Sequence, residues 1–119
     1  NEDVSFNSIR QLNNRYDLTH NLENIVYNEL IYMGYNLNVY NINGKEVDFL
    51  AVNGNKKYYI QVAYSVENND TYQREMLPFN IIKDNLSQKV LITNDDLDYS
   101  TSIVRHIKLK NFLRLKSLN

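Results

Sequence analysis

The sequence predicts a single α/β domain in which helices flank a central mixed sheet, and three observations lead to this prediction. The chain has 119 residues, which suits one hydrophobic core and leaves no room for a second independent domain. Stretches with helical hydrophobic spacing alternate with stretches of two-residue alternation or short apolar runs. The predicted order of elements is α, β, β, β, α, β, β, α, which indicates a mixed sheet covered by helices.

The first clear helix follows Asp17, which we expect to cap its N-terminus. Its apolar residues recur every three or four positions, and Gly34 supplies a stop signal; they are Leu18, Leu22, Ile25, Val26, Leu30 and Met33. Upstream, apolar residues in 4–12 are spaced less regularly and indicate a short helix or lead-in segment. We therefore divide the chain into a lead-in segment from a preceding domain, residues 1–17, and a folded domain, residues 18–119.

Three strands are predicted next, joined by tight turns. Residues 35–42 alternate and end in Asn43-Gly44, a strong signal for a two-residue hairpin. The partner strand covers residues 46–52. After a second turn at residues 53–55, residues 57–66 form the longest predicted strand, with Gln61 and Ala63 on one face.

The second half of the chain is predicted to begin with a helix capped by Asp70, which Pro78 is expected to kink or split. An acidic loop at residues 94–102 separates the two remaining strands. The further predicted elements are a buried strand at residues 89–93, a strand at residues 103–109 that contains His106, and a terminal helix around Phe112.

Composition excludes several classes of protein. The chain has no cysteine and only two histidines, so it contains neither disulfides nor thiolate metal sites, and a cytoplasmic location is expected. No apolar run approaches the roughly 18 residues that a membrane span requires, so no membrane partner is expected. The N-terminus carries neither an initiator Met nor a signal peptide, which suggests an excised fragment.

The net charge of −1 argues against a general nucleic-acid binder. The segment from Arg105 to the C-terminus nevertheless has five basic residues and no acidic one. This segment is either a solvated face or a contact for phosphate or a partner. Tyr58, Tyr59 and Tyr64 similarly allow two interpretations, stacking on exposed bases or ordinary strand packing.

Asp48 is the first candidate site residue because it stands in the middle of a predicted strand. Burying a carboxylate costs several kcal/mol unless it is paired, hydrogen-bonded or bound to a metal. Glu23, on the first helix, is placed to point toward the strand that carries Asp48. The alternative is an edge strand on which Asp48 meets water or pairs with Lys45 or Lys57.

These residues give the chain a resemblance to known families. Glu23 before Gly34, then Val47-Asp48-Phe49-Leu50-Ala51, then Tyr59-Ile60-Gln61-Val62-Ala63 resembles the PD-(D/E)xK nuclease fold, a restriction-endonuclease-like mixed sheet, and in particular its archaeal Holliday junction resolvases. The segments 22–30, 46–49, 59–65, 74–75, 82–85 and 106–107 are similar to the nuclease-like C-terminal domain, of unknown function, in a prokaryotic family of AAA-type ATPases.

The resemblance implies roles for three residues. Glu23 would orient a metal-bound water, Asp48 would bind the metal directly, and Gln61 would stand at the second metal-ligand position. An amide oxygen brings no negative charge, so the resemblance implies at most weak Mg²⁺ binding. Ala63 stands where the active nucleases have a lysine, and losing one such preorganised group costs on the order of a hundred- to a thousandfold in rate.

Three functional hypotheses follow. The first is an inactive nuclease-like domain that recognises nucleic acid or protein within an AAA-type ATPase. The second is an active Mg²⁺-dependent DNA nuclease with a displaced lysine, and the third is a purely structural cap for protein contact. The chain has no Gly-rich phosphate loop, so ATP would bind only in an upstream ATPase domain of the same chain. DNA is a candidate partner, and the oligomeric state is left open.

Overall fold

The computed structural model describes the backbone of residues 2–119 and the side chains of residues 17–119. The predicted order of elements is confirmed. The elements are α1 (Glu2–Tyr32), β1 (Asn36–Ile42), β2 (Lys45–Asn53), β3 (Lys56–Val62), α2 (Asn69–Ile81), β4 (Gln88–Thr93), β5 (Arg105–Lys108) and α3 (Leu109–Phe112).

The five strands form one mixed sheet in the order β1-β2-β3-β4-β5. The first three strands form an antiparallel meander, whereas β3, β4 and β5 run parallel to one another. Helix α2 connects β3 to β4, as parallel pairing requires a crossover. The predicted mixed sheet flanked by helices is therefore confirmed.

Each face of the sheet has its own apolar core. The first face packs against α1, α3 and the C-terminal segment, and its buried residues include Leu22, Val26, Leu30, Tyr58, Ile60, Ile92, Phe112 and Leu118. The second face packs against α2, and its buried residues include Val47, Tyr59, Ala63, Met76, Phe79, Leu91 and Val104. The two-residue alternation of β3 and β4 divides their side chains between these cores.

Helix α1 differs from the prediction at its N-terminus. It begins at Glu2, so Asp17 lies inside the helix and does not cap it. The sequence has no Gly or Pro before Gly34 to stop a helix, and Gly34 ends the segment with a φ of 98°. The side chains of the apolar residues predicted in 4–12 lie outside those described. In residues 2–119 no helix combines the length and apolarity needed to cross a membrane.

Helix α2 corrects the predicted N-cap and excludes one of the two effects predicted for Pro78. Asn68 rather than Asp70 is its N-cap, because the Asn68 side chain accepts hydrogen bonds from the backbone N–H groups of Asp70 and Thr71. Pro78 does not split the helix, which continues to Ile81. Pro78 stands in the last turn, where the missing N–H removes a single helical hydrogen bond.

The predicted hairpin is confirmed, and its turn residues show why. Asn43 and Gly44 both have positive φ, 52° and 76°, as a two-residue turn between twisted strands requires. Strand β3 ends at Val62 instead of Val66, although the backbone groups of Ala63 and Tyr64 still bond those of Ile92 and Asn94. Strand β5 begins at Arg105 and ends at Lys108, shorter at both ends than predicted.

Candidate functional site

Asp48 lies at an irregularity in β2. Asn38 pairs with Leu50 and Tyr40 pairs with Val47, so Asp48 and Phe49 together stand opposite Val39. This two-against-one arrangement is a β-bulge, which redirects side chains locally. As a consequence Val47 packs in the core beneath α2, whereas Phe49 and Ala51 pack on the opposite face.

Two side chains bridge β2 and β3 beyond the last backbone pair of the two strands, Phe49 with Ile60. The backbone N–H of Asp48 donates to Oε1 of Gln61 at 2.9 Å. The backbone N–H of Val62 donates to Oδ2 of Asp48 at 2.8 Å. Asp48 and Gln61 therefore join β2 to β3 just past the point where the regular pairing of these two strands ends.

Gln61 also uses its amide nitrogen. Nε2 donates to the carbonyl oxygen of Glu75 in α2 at 3.2 Å and, at 3.5 Å, to the carbonyl oxygen of Glu46 in β2. The side chain is 3% exposed, so these bonds satisfy an otherwise costly buried amide. Gln61 thus ties β2, β3 and α2 together.

Acidic side chains gather around this point. Burial raises the pKa of Asp48 to about 7, against the hydrogen bond from Val62, and the nearby charges of Glu23 and Glu46 raise the pKa further. Burial likewise raises the pKa of Glu75 to about 7, with a further contribution from Asp48. The pKa of Glu23 is also raised, mainly by burial. Asp48 and Glu75 are partly buried, and their raised pKa values favour the protonated form of each more than in an exposed carboxyl group.

The structure brings the predicted residues together and adds one that the sequence did not indicate. Glu23, Asp48 and Gln61 lie in one region, as predicted, and Asp48 is partly enclosed rather than fully exposed on an edge strand. Glu75 was not predicted as a site residue. Its neighbours Met76 and Phe79 mark the buried face of α2, but sequence spacing alone did not place Glu75 against β2.

Two cavities lie beside these acids. A cavity of about 240 Å³ is lined by Asp48, Gln61, Glu46, Lys45, Gly44, Arg74, Glu75 and Pro78. A larger cleft of about 1080 Å³ shares Arg74 and Glu75 with it and extends along the carboxyl ends of β3 and β4. Ala63 lines this cleft and contributes no charge. Among the side chains of residues 17–119, no group of three or more His, Asp or Glu is arranged to hold a metal ion.

His106 bonds the loop that forms one wall of the larger cleft. Its Nδ1 accepts a hydrogen bond from the backbone N–H of Tyr99 at 3.0 Å, and its Nε2 lies 2.7 Å from Oγ1 of Thr93. Because Nδ1 is an acceptor, the ring is neutral and Nε2 donates. Burial lowers the pKa of His106, although Asp98 lies 3.7 Å from Nδ1. His106 therefore belongs to the final strand, as predicted, and fixes the loop at residues 94–104.

The fold and the site define an α/β domain with an acidic, hydrogen-bonded site that lines a small cavity beside a larger cleft. Residues 18–112 match the protein family described as "Domain of unknown function (DUF4143)". This match covers most of the chain, and the chain belongs to this family.

A curated relative is also similar to the chain. An uncharacterized protein of Haemophilus influenzae is 42% identical over 72 residues, which are 60% of this chain and 17% of that protein. The match therefore covers about a sixth of the relative's length. No solved structure matches the chain.

Proposed function

We propose that this domain is a non-catalytic, nuclease-like module that recognises a protein partner within a larger AAA-type ATPase. The observation that carries the proposal is the use made of Asp48 and Gln61. The side chain of each residue bonds a backbone group of the strand that carries the other. The amide nitrogen of Gln61 also donates to backbone carbonyl groups of β2 and α2. In this role the two side chains stabilise the fold. This supports the view that the positions of the metal ligands in active nucleases serve a structural purpose in this domain.

The electrostatics of the clefts favour a protein over DNA. Within the described side chains, Arg74 is the one basic residue that lines the larger cleft, whereas four acidic residues line it, Glu67, Glu75, Asp95 and Asp96. A phosphate backbone binds where lysine and arginine outnumber acids. Tyr58 and Tyr59 are buried in the two cores and offer no surface for base stacking. Ordinary strand packing therefore accounts for these two tyrosines.

The link to an ATPase rests on length and on the family. The Haemophilus influenzae relative is far longer than the matched segment, so a domain of this size occupies a small part of it. Domains of the DUF4143 family often lie C-terminal to AAA ATPases. On this proposal ATP binds to the ATPase part of the protein, and the present domain selects or positions a partner in the cytoplasm.

A nuclease assay with the purified protein tests the absence of catalysis. Branched, duplex and single-stranded DNA are incubated with Mg²⁺ or Mn²⁺, and Asp48→Ala is assayed in parallel. We expect no cleavage above the level of the variant. Cleavage by the unmodified protein that Asp48→Ala abolishes would overturn the proposal.

One observation favours a second candidate, the Mg²⁺-dependent nuclease with a displaced lysine. Asp48 and Glu75 have raised pKa values beside a cavity that Lys45 also lines, and a divalent cation between two carboxylates would relieve their repulsion. Calorimetric titration with Mg²⁺ and Mn²⁺ distinguishes the candidates. Metal binding that is lost in Glu75→Gln, together with DNA cleavage, would support the nuclease.

A further inference from the structure

Strand β1 forms one edge of the sheet, and its outer side has backbone groups that no other strand pairs in the described part of the chain. Such an edge is a template for another strand, and most proteins block it with charges, proline, a bulge or short length. Seven residues form β1, Asn-Leu-Asn-Val-Tyr-Asn-Ile, and they include no charged residue and no proline. Composition and length therefore leave this edge open.

The bulge does not protect the edge either. The extra residue belongs to β2, since Asp48 and Phe49 both stand opposite Val39, and β1 keeps one residue per position. The middle residue of β1, Val39, is a β-branched side chain that is 65% exposed. An added strand would place a cross-strand neighbour beside it.

The opposite edge of the sheet differs in length and in charge. Strand β5 has four residues, and both its first and last residue, Arg105 and Lys108, are basic. The Arg105 side chain also donates to the carbonyl oxygen of Leu118 in the C-terminal segment at 2.9 Å. Short length and charge are the usual protection of an edge strand. Of the two edges that the described strands form, β1 is therefore the one suited to strand addition.

We propose that β1 pairs with β1 of a second copy of this chain, antiparallel and about a two-fold axis at Val39. In this register Val39 faces its own copy, Asn38 faces Tyr40, and Leu37 faces Asn41. The pairing brings no like charges together, because β1 has none, although charged residues make up 23% of the chain. A charged strand would instead require a partner of opposite charge.

Pairing of the two β1 strands also gives a closed assembly, to which no third copy can add. The two copies would form a ten-stranded sheet whose ends are the two β5 strands, and these short, basic edges do not extend the sheet further. A two-fold contact of this kind gives a dimer rather than a filament. The proposal does not depend on the protein's function.

Sedimentation velocity of the purified protein from about 1 to 500 µM tests the proposal. We expect a concentration-dependent equilibrium between monomer and dimer, with nothing larger. Val39→Lys and Val39→Glu each place like charges opposite one another, so each should weaken the dimer at least about tenfold. An equimolar mixture of the two variants should dimerise again, because the introduced lysine of one copy then faces the introduced glutamate of the other.

Leu86→Lys is the matched control, since Leu86 is 95% exposed in the turn before β4 and far from β1 in the sheet order. It should dimerise like the unmodified protein, and thermal denaturation should show that all variants are folded. A monomer at every concentration would overturn the proposal. So would dimerisation that Val39→Lys leaves unchanged, failure of the mixture to recover it, or species larger than a dimer.

Discussion

Asp48 and Gln61 each bond the backbone of the strand that carries the other. The Asp48 carboxylate accepts from the N–H of Val62, and the Gln61 amide oxygen accepts from the N–H of Asp48. These reciprocal bonds lie just past Phe49 and Ile60, the pair at which the regular pairing of β2 and β3 ends. Asp48 and Gln61, the residues that most resemble metal ligands, therefore also act as a structural clamp. We expect substitutions that remove these hydrogen bonds to lower the stability of the fold, whether or not the domain is catalytic.

Gln61→Glu should destabilise the fold. The substitution replaces Nε2, which donates to two backbone carbonyls, by an oxygen that repels them, and it adds a carboxylate near Asp48 and Glu75. Leaving buried carbonyls unpaired costs about 1–3 kcal/mol, and more when a charge is buried. We expect the free energy of unfolding, measured by urea denaturation at pH 8, to fall by about 2 kcal/mol or more.

Gln88→Glu provides the control for this experiment, because it makes the same chemical change on an exposed residue of β4. It should alter stability by less than about 0.5 kcal/mol. Equal effects of the two substitutions would show that Gln61 does not act as a clamp.

Asp48 should tolerate asparagine but not alanine. Asparagine keeps an oxygen to accept from the N–H of Val62 and removes a carboxylate whose ionisation is opposed by burial and by Glu23. Alanine leaves the Val62 N–H without its partner, at a cost of about 1–3 kcal/mol. At pH 8 we expect Asp48→Asn to match or exceed the unmodified protein in thermal stability, and Asp48→Ala to melt several degrees lower. An asparagine variant as unstable as the alanine variant would contradict the proposed hydrogen bond.

Glu75 should make the protein less stable as pH rises toward 7. Its pKa is raised from 4.5 to about 7 in the folded protein, so between these values the folded state binds more protons than the unfolded state. The stabilisation from its proton is complete below about pH 4.5 and is lost as pH rises through 7. Glu75→Gln removes this dependence, so the variant should gain stability relative to the unmodified protein between pH 5 and 8.

Urea denaturation at half-unit pH steps measures this difference, which should be on the order of 1–3 kcal/mol at pH 8. Glu67→Gln is the control, because Glu67 is exposed beside the larger cleft. It should run parallel to the unmodified protein across the range. A constant gap between Glu75→Gln and the unmodified protein would mean that Glu75 does not titrate near neutrality.

Local signals in the sequence were enough to predict the helices and strands. The arrangement of the candidate site instead depends on contacts between elements that are distant in the sequence. Asn43-Gly44 specifies its turn by itself, since both residues adopt positive φ. Asp48 in mid-strand correctly indicated an enclosed carboxylate. The role of Gln61 depends on backbone groups of β2 and α2 that lie 13 to 15 residues away along the chain, and the position of Glu75 depends on how α2 packs against the sheet. Neither is encoded in the spacing of nearby residues.

His106 should control the order of the loop at residues 94–104. Its neutral ring accepts from the N–H of Tyr99, and its own backbone N–H donates to Oγ of Ser100. The pKa of His106 is lowered from 6.5, so below that value the unfolded state binds more protons, and the contribution of His106 to stability is lost as pH falls. Protonation also removes the acceptor for Tyr99. Amide protection factors in the loop should therefore decrease below pH 6.5.

Hydrogen exchange followed by mass spectrometry, corrected for intrinsic rates, measures this protection. His106→Leu should lower it in residues 94–104 at pH 7.5 by about tenfold or more, because the Tyr99 N–H loses its acceptor and Thr93 Oγ1 loses one of its two partners. Asp98→Asn should change it little, since the substitution keeps an oxygen that accepts from the N–H of Ser100 and a neutral His106 forms no ion pair with Asp98. If Asp98→Asn loosened the loop as much as His106→Leu, the ion pair with a charged ring would be the contact that holds it.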